Sequence, residues 1–305
     1  MIKAAIIGAN GYLARNMAQL NLMNNYAEMR LYGYEEDHRD GLNPYERVDV
    51  FDESAMRKIV SQFDIIYFFT GRTGTLQGFD HFQEYLDLNE KALLTLLGAC
   101  KSENSKAKIV FPSTRLVYKG QNELLSEESE KQFLTPYAIQ KYACEEYLKM
   151  YSNLYGIRYC IARICVPYGS LVSPVTSHGT IEFFIKQANE KKEISIYGDG
   201  NQKRTFTYIE DLCTILWEMG LNEKCVNDIY NVGGESQSIR QVAKWIASAT
   251  NSKIVELTWP KMDHKIETGS TAFNSNKLES LIQCTYHMSI KKWIQSRSIL
   301  KKGIL

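Results

Sequence analysis

Tyr137 and Lys141 stand four residues apart in the stretch P-Y-A-I-Q-K-Y-A-C-E-E, from Pro136 to Glu146. The segment lacks glycine and runs on through Tyr147, Leu148 and Met150, which predicts a helix opening after Pro136. Residues i and i+4 share a helix face, so both side chains can enter one site. A free tyrosine hydroxyl titrates near about 10, too high for a base at neutral pH. A neighbouring ammonium favours the phenolate, and a cationic nicotinamide would favour it further. The pair therefore suits proton transfer coupled to hydride transfer. With 19 tyrosines in the chain, Tyr-x-x-x-Lys also arises by chance on ordinary surface helices, so the elements upstream decide its meaning.

Residues 2–7, I-K-A-A-I-I, read as a buried parallel strand, and G-A-N-G-Y-L-A follows, with Gly8, Gly11 and then Ala14 where a third glycine could stand. Leu13, Met17 and Leu20 give the next helix an apolar face. Strand, glycine turn and helix form the context in which backbone approaches a pyrophosphate and a helix N-terminus faces it. A second strand is expected at Met29–Tyr34, followed by Glu35, Glu36 and Asp37. An acidic residue there can bind a ribose 2′-hydroxyl and favours NAD; Arg39 and Arg47 nearby leave NADP open. A third strand containing Val48 and Val50 would place Asp49 and Val50 near the adenine.

Further along, Glu53–Gln62 reads as helix, Asp64–Phe69 as strand ending at Thr70-Gly71, Phe79–Cys100 as one long helix containing Asn89, and Lys108–Phe111 as strand ending at Pro112-Ser113-Thr114. Ile157–Arg163 is another strand, Val166-Pro167-Tyr168-Gly169 a turn, Gly179–Lys192 and Tyr208–Leu221 helices, and Ile229–Val232 a strand. Ser238 should cap a helix running to Ala249. Short helices at Lys277–Ile282 and Ile290–Ile299 close the chain. The alternation predicts an α/β protein with a doubly wound parallel sheet of Rossmann type, whose ligands bind at the carboxyl ends of strands, where Gly8, Thr70 and Thr114 all fall. A dinucleotide-binding unit is expected at 1–165, rejoined by parts of 205–235, with 166–305 mainly a smaller substrate-binding domain.

The chain has 305 residues, 44% of them hydrophobic, and a net charge of +1 without a strongly basic block, which argues against nucleic acid as partner. Seven scattered cysteines without C-x-x-C suggest reduced thiols in a cytoplasm and no zinc site; no metal is expected. No apolar run reaches the length of a membrane span.

Taken together, the ordered marks resemble the extended short-chain dehydrogenase/reductase family, in its NAD-dependent epimerase/dehydratase branch. They are G-A-N-G-Y-L-A, D-V at 49–50, D-I-I-Y-F-F-T-G at 64–71, Asn89, F-P-S-T-R-L-V-Y at 111–118, P-Y-A-I-Q-K at 136–141, Arg163, P-Y-G at 167–169, G-D-G-N-Q-K-R-T-F-T-Y-I-E-D at 198–211 and N-V-G-G at 231–234. The resemblance covers Ile2 to about Gly234. It implies a nucleotide-sugar substrate and a held nicotinamide dinucleotide. By it, Tyr137 is the acid/base on a sugar hydroxyl, Lys141 lowers its pKa and holds the nicotinamide ribose, and Thr114 bonds the same hydroxyl. Gly8, Asn10, Gly11, Tyr12, Leu13 and Ala14 line the cofactor turn, joined by Glu35, Asp49, Val50, Thr70, Gly71 and Asn89. Arg204 matches a position that pairs with the substrate diphosphate, and His178 lies about where a substrate-side histidine falls. Homodimerisation through the helices at 79–100 and 136–152 is a family expectation.

There are departures. Arg115-Leu116 stands where 4,6-dehydratases carry Asp-Glu, so water loss is not expected. Val166 replaces a substrate-touching asparagine, and the late arginine has only Lys265 near it. Cys165 with His178 could be a proton-exchanging pair, against the reading of a small buried thiol. The resulting expectation is an NAD-dependent nucleotide-sugar epimerase acting through a 4-keto intermediate. The alternatives are an NAD(P)H-dependent 4-ketoreductase of a nucleotide-linked deoxysugar and a non-catalytic dinucleotide-binding sensor.

Overall fold

The computed structural model describes residues 1–172, 179–190 and 192–296. Twelve strands occur among them: β1 (Lys3–Ile7), β2 (Glu28–Gly33), β3 (Tyr45–Arg47), β4 (Ile65–Phe68), β5 (Lys108–Thr114), β6 (Arg158–Ile164), β7 (Val166–Tyr168), β8 (Ile194–Tyr197), β9 (Lys203–Tyr208), β10 (Asp228–Asn231), β11 (Glu235–Ser238) and β12 (Ile254–Leu257). Seven of these form one sheet in the order β10-β6-β5-β4-β1-β2-β3, and every pairing in it is parallel. Its central strands are apolar almost throughout because both faces are covered. Ala4, Ile6, Tyr67, Val110 and Ala162 face one core, against the helices Tyr12–Asn24 and Ile209–Leu221. Ala5, Ile7, Ile66, Phe68, Ile109 and Phe111 face the other, against Glu53–Gln62, Ala92–Ser102 and Pro136–Tyr155. Each fully buried leucine, isoleucine or phenylalanine contributes about 1.5–3 kcal/mol, so a one-residue register slip is strongly disfavoured.

The strand order reverses between β1 and β4, and that switch point opens a crevice at the carboxyl edge of the sheet. β7 starts just after β6 ends, carrying the chain past that edge into a small sheet of order β11-β9-β7. The strands β8 and β12 pair separately. Tyr168, Ile196, Phe206, Val242, Ile246 and Ile294 form a third core there. The helix Ile239–Thr250 is capped as expected, with Ser238 Oγ accepting from the Gln241 N–H at 3.1 Å.

Three local expectations are corrected. The third strand is Tyr45–Arg47 and stops before Val48, because Val48 is already buried under the helix at Glu53–Gln62 while Asp49 Oδ1 accepts the Phe51 N–H at 2.9 Å and starts a turn. The long helix expected at 79–100 is broken: Gln77–Asp80 and Phe82–Leu86 flank His81, which leaves helical geometry, and a π turn spans Asp87–Lys91 before Ala92–Ser102. The segment expected as a turn at 166–169 is the strand β7 up to Tyr168, paired with β9.

Candidate active site

The helix Pro136–Tyr155 opens with Thr135 as its cap, its Oγ1 accepting the Ala138 N–H at 3.2 Å, and with proline in the first turn, where no N–H is needed. That turn lies beside the carboxyl end of β5, so Tyr137 meets Thr114. Burial pushes the Tyr137 phenol up to about 12, against the neighbouring Thr114 hydroxyl, which pulls it down. Its ring remains part-exposed toward the crevice. Lys141, one turn on, is buried, and its Nζ sits 3.9 Å from the centre of the Phe111 ring. Among the described residues its ammonium has no hydrogen-bond or ion-pair partner, and burial pulls it down to about 8. In the protein alone, then, desolvation dominates the tyrosine, and the lowering expected from the lysine is not seen.

The sign for Lys141 follows from linkage. Its folded pKa lies below its ordinary 10.5, so between about pH 8 and 10.5 the unfolded chain binds more protons there, and this residue makes stability rise with pH across that window. In cofactor-free protein the Lys141 ε-carbon signal, assigned by its disappearance in Lys141→Met, is expected to titrate near pH 8. A midpoint above about 10, the range of an exposed lysine, would show the site to be wet.

The glycine turn lies across the switch point. Gly8 has φ +89°, and a Cβ there would fall 2.7 Å from the Thr70 backbone nitrogen, so only glycine lets β1 and the end of β4 come this close. Gly8 and Ala9 N–H groups both donate to Tyr32 O at 2.9 Å, and Gly11 N–H donates to Gly8 O at 3.1 Å. Gly11 precedes the helix Tyr12–Asn24, whose first N–H groups receive no side-chain cap. Leu13 packs into the core, and the Tyr12 hydroxyl donates to Gly169 O at 2.7 Å, fastening this helix to the loop after β7.

Of the three acids after β2, Glu35 sits nearest the turn. Its carboxylate accepts from Asn10 Nδ2 at 2.6 Å and from Arg39 Nε at 3.0 Å, and these bonds, chiefly Arg39's, hold it below the usual carboxylate range. Glu36 pairs instead with Arg47. Asp49 and the partly buried Val50 follow β3.

Asn89 shows what the π turn does. The wide turn carries it inward to 2% exposure, where its Oδ1 accepts the Arg72 N–H at 2.9 Å and its Nδ2 donates to Gln140 Oε1 at 3.0 Å. A Cβ on Gly71 would lie 2.8 Å from that Oδ1. Asn89 thus ties the loop after β4 to the helix bearing Tyr137 and Lys141. Cys144 Sγ donates to Asn89 O at 3.0 Å, which makes it a packing residue.

On the far side of the crevice, Arg204 is 3% exposed and turned into the protein: it donates to Lys203 O at 3.0 Å, to Glu267 Oε1 at 2.5 Å and to Gly269 O. Cys165 Sγ donates to Thr271 O and accepts from the Thr205 N–H, each at 3.3 Å, as a buried structural thiol does. Lys265 is exposed on the short helix Lys261–Ile266. His178 lies outside the described residues.

The sequence model of the NAD dependent epimerase/dehydratase family matches residues 4–233. The chain belongs to that family. Among its relatives, this family member is 29% identical over 258 residues to UDP-glucuronate 4-epimerase of Thermodesulfobacterium geofontis, covering 82% of this chain and 76% of the relative. It is 27% identical over 279 residues to UDP-N-acetyl-alpha-D-glucosaminuronate decarboxylase of Bacillus cytotoxicus, covering 85% and 84%. The solved structure of UDP-glucuronic acid 4-epimerase from Bacillus cereus, with UDP-glucuronic acid and NAD, superposes with a TM-score of 0.85 at 23% identity over 98% of this chain and 99% of the other, a likeness of fold.

For a member of an NAD-dependent family, three observations fit the dinucleotide. The Gly8 cradle excludes any side chain, the helix at Tyr12 has an uncapped start suited to a pyrophosphate, and Thr70 Oγ1 is buried without a hydrogen-bond partner among the described residues. Gln140, Glu267 and Arg115 shape the site without having been singled out for it by sequence. Gln140 falls inside the P-Y-A-I-Q-K motif, and only the partner across the helix shows its use. Among the described residues no group of three or more His, Cys, Asp or Glu could hold a metal ion, and no helix is long and apolar enough to cross a membrane.

Proposed function

We propose that this protein is an NAD-dependent nucleotide-sugar epimerase that inverts a hydroxyl-bearing carbon, C4 of the sugar, through a 4-keto intermediate. The observation that carries the reading is the placing of Thr114, Tyr137 and Lys141 at the carboxyl end of β5, facing the crevice that Gly8 and Thr70 define. When bound, NAD supplies the two-way hydride chemistry. The chain's own groups move the proton. Tyr137 as phenolate takes the proton of the C4 hydroxyl, and Thr114 orients that hydroxyl from its other side. Lys141 gives the phenolate a cation that forms no ion pair among the described residues. After the keto sugar has turned its other face, Tyr137 returns the proton to the oxygen. Atoms and electrons balance, since the proton and hydride removed from one face are restored to the other. The similarity to a UDP-glucuronate 4-epimerase supports the substrate class.

Glu35, Asn10 and the turn from Gly8 to Leu13 are read as the adenosine and pyrophosphate side of the cofactor site, with Asp49 and Val50 near the adenine and Asn89 behind the nicotinamide. We read residues 1–165 with parts of 205–235 as the dinucleotide-binding unit and most of the remainder as the substrate side. A homodimer belongs to the same proposal: Phe82, Leu86, Ile139 and Met150 are exposed apolar side chains on the two helical stretches expected to pair. The cytoplasm is the proposed location, which seven free cysteines support.

The test is to purify the protein without added cofactor, denature it, and identify the released dinucleotide, then to follow C4 configuration in a panel of UDP-sugars. Near-stoichiometric NAD and conversion of one sugar pair are expected. An empty protein that binds neither NAD nor NADP would overturn the reading.

A further inference from the structure

Arg115 follows Thr114 directly, at the carboxyl end of β5, and is part-buried. Its NH1 donates to Thr268 Oγ1 at 3.1 Å and reaches Thr271 Oγ1 at 3.4 Å. The same short segment holds Arg204, through Glu267 and Gly269 O. Two guanidiniums are thus gathered on residues 267–271, with one carboxylate between them, and that carboxylate belongs to Arg204 at 2.5 Å. Among the described residues no acidic side chain pairs with Arg115, and none of the remaining residues carries an acidic side chain. Burial pulls the Arg115 guanidinium down to about 10, repulsion from Arg204 adds to it, and attraction to Glu267 only partly offsets the two. Arginine stays charged at neutral pH all the same, and its remaining N–H donors form a fork that matches an oxyanion.

We propose that Arg115 is a substrate-binding and specificity-determining residue, which takes an oxyanion of the substrate. The role expected of Arg204 from sequence thereby passes to Arg115, because the Arg204 guanidinium is engaged inside the protein. The proposal rests on the nucleotide-sugar reading above. Two groups of such a substrate offer the required chemistry, a carboxylate on the sugar and the diphosphate linking it to the nucleoside. Adjacency to Thr114, which meets the tyrosine of the proton-transfer pair, favours the sugar carboxylate.

The experiment measures binding of UDP-glucuronate, UDP-glucose and UDP by calorimetry to the NAD-loaded full chain, as wild type, Arg115→Gln and Arg115→Lys, with the melting temperature of each recorded. A charge-assisted fork lost from a half-buried site weakens binding by about 10- to 100-fold. If Arg115 takes the sugar carboxylate, Arg115→Gln loses that factor on UDP-glucuronate alone and Arg115→Lys recovers part of it. If it takes the diphosphate, all three ligands lose equally. Either pattern upholds the proposal and names the source. Unchanged binding of all three by a folded Arg115→Gln overturns it and leaves the epimerase reading standing. A wild type that binds none of them overturns both. Should Arg115→Gln melt early, the split between UDP-glucuronate and UDP-glucose in Arg115→Lys decides alone.

Discussion

Replacing Tyr137 by phenylalanine is expected to lower kcat by about 10²- to 10⁴-fold, the contribution of a positioned general acid/base, with NAD content and melting temperature near those of wild type. The phenyl ring keeps its place in the first turn of the helix at Pro136, since only the hydroxyl beside Thr114 is lost. KM for the nucleotide sugar should change little, because the lost interaction acts on a proton in flight and not on the resting hydroxyl. Steady-state turnover together with quantified bound NAD checks this. A variant with more than a tenth of wild-type turnover would mean that the proton leaves by another route, and the assignment of Thr114 and Lys141 would fall with it. Charge from the nicotinamide has to bring the phenol down from about 12, so the ring should titrate lower in NAD-loaded protein than in stripped protein.

The second large effect is on stability and lies one turn beyond Lys141. Glu145 is fully buried and holds Arg163, itself 1% exposed, through Oε1 at 2.9 Å and Oε2 at 2.5 Å. Ser113 Oγ donates to the same carboxylate at 2.5 Å. Arg163 also donates to Tyr118 Oη at 2.7 Å and Glu127 O at 3.0 Å, and Tyr118 passes on to Asn231 Oδ1 at 2.7 Å. Glu145→Gln preserves shape and removes charge, leaving a buried guanidinium uncompensated. The expected loss is about 3–5 kcal/mol, a large part of the total stability of an ordinary domain. Urea denaturation of NAD-free protein measures it. A loss under about 1 kcal/mol would mean that Arg163 finds water or another anion. Because Ser113 precedes Thr114, a weaker secondary loss of turnover should accompany the destabilisation.

Much of the fold is legible in the sequence for one physical reason. Buried parallel strands read as short apolar runs, and Ala4 to Ile7, Ile65 to Phe68 and Lys108 to Phe111 read so. The cap at Ser238 and the helix start at Pro136 are legible too, since both act within three residues of themselves. What could not be read depends on partners far apart in sequence. The π turn at 87–91 has no local signature, because what rewards it is Asn89 reaching Arg72 and Gln140 across 17 and 51 residues. Arg204 looked like a free phosphate ligand until Glu267, 63 residues on, was seen to hold it. Arg115 looked like a mere departure from a dehydratase pattern, since its surplus charge is visible only once the acids around it are counted in space. The third strand is misplaced, expected around Val48 and Val50 and found at Tyr45–Arg47, because it is brief, lies at the sheet edge and is largely exposed, so hydrophobic patterning is absent there.

The strand β10 also has a meaning for the order in which the chain is made. β6 is complete at Ile164, yet its outer neighbour β10 does not begin until Asp228. A chain emerging from the ribosome therefore carries an open sheet edge for more than sixty residues of synthesis, at the strand that bears the buried Arg163. Throughout that interval Asn231 is missing from the polar chain that runs from Glu145 through Tyr118. An unpaired strand edge is a template for joining another chain. The nascent N-terminal half thus carries an association-prone edge, and arrival of residues 228–231 covers it.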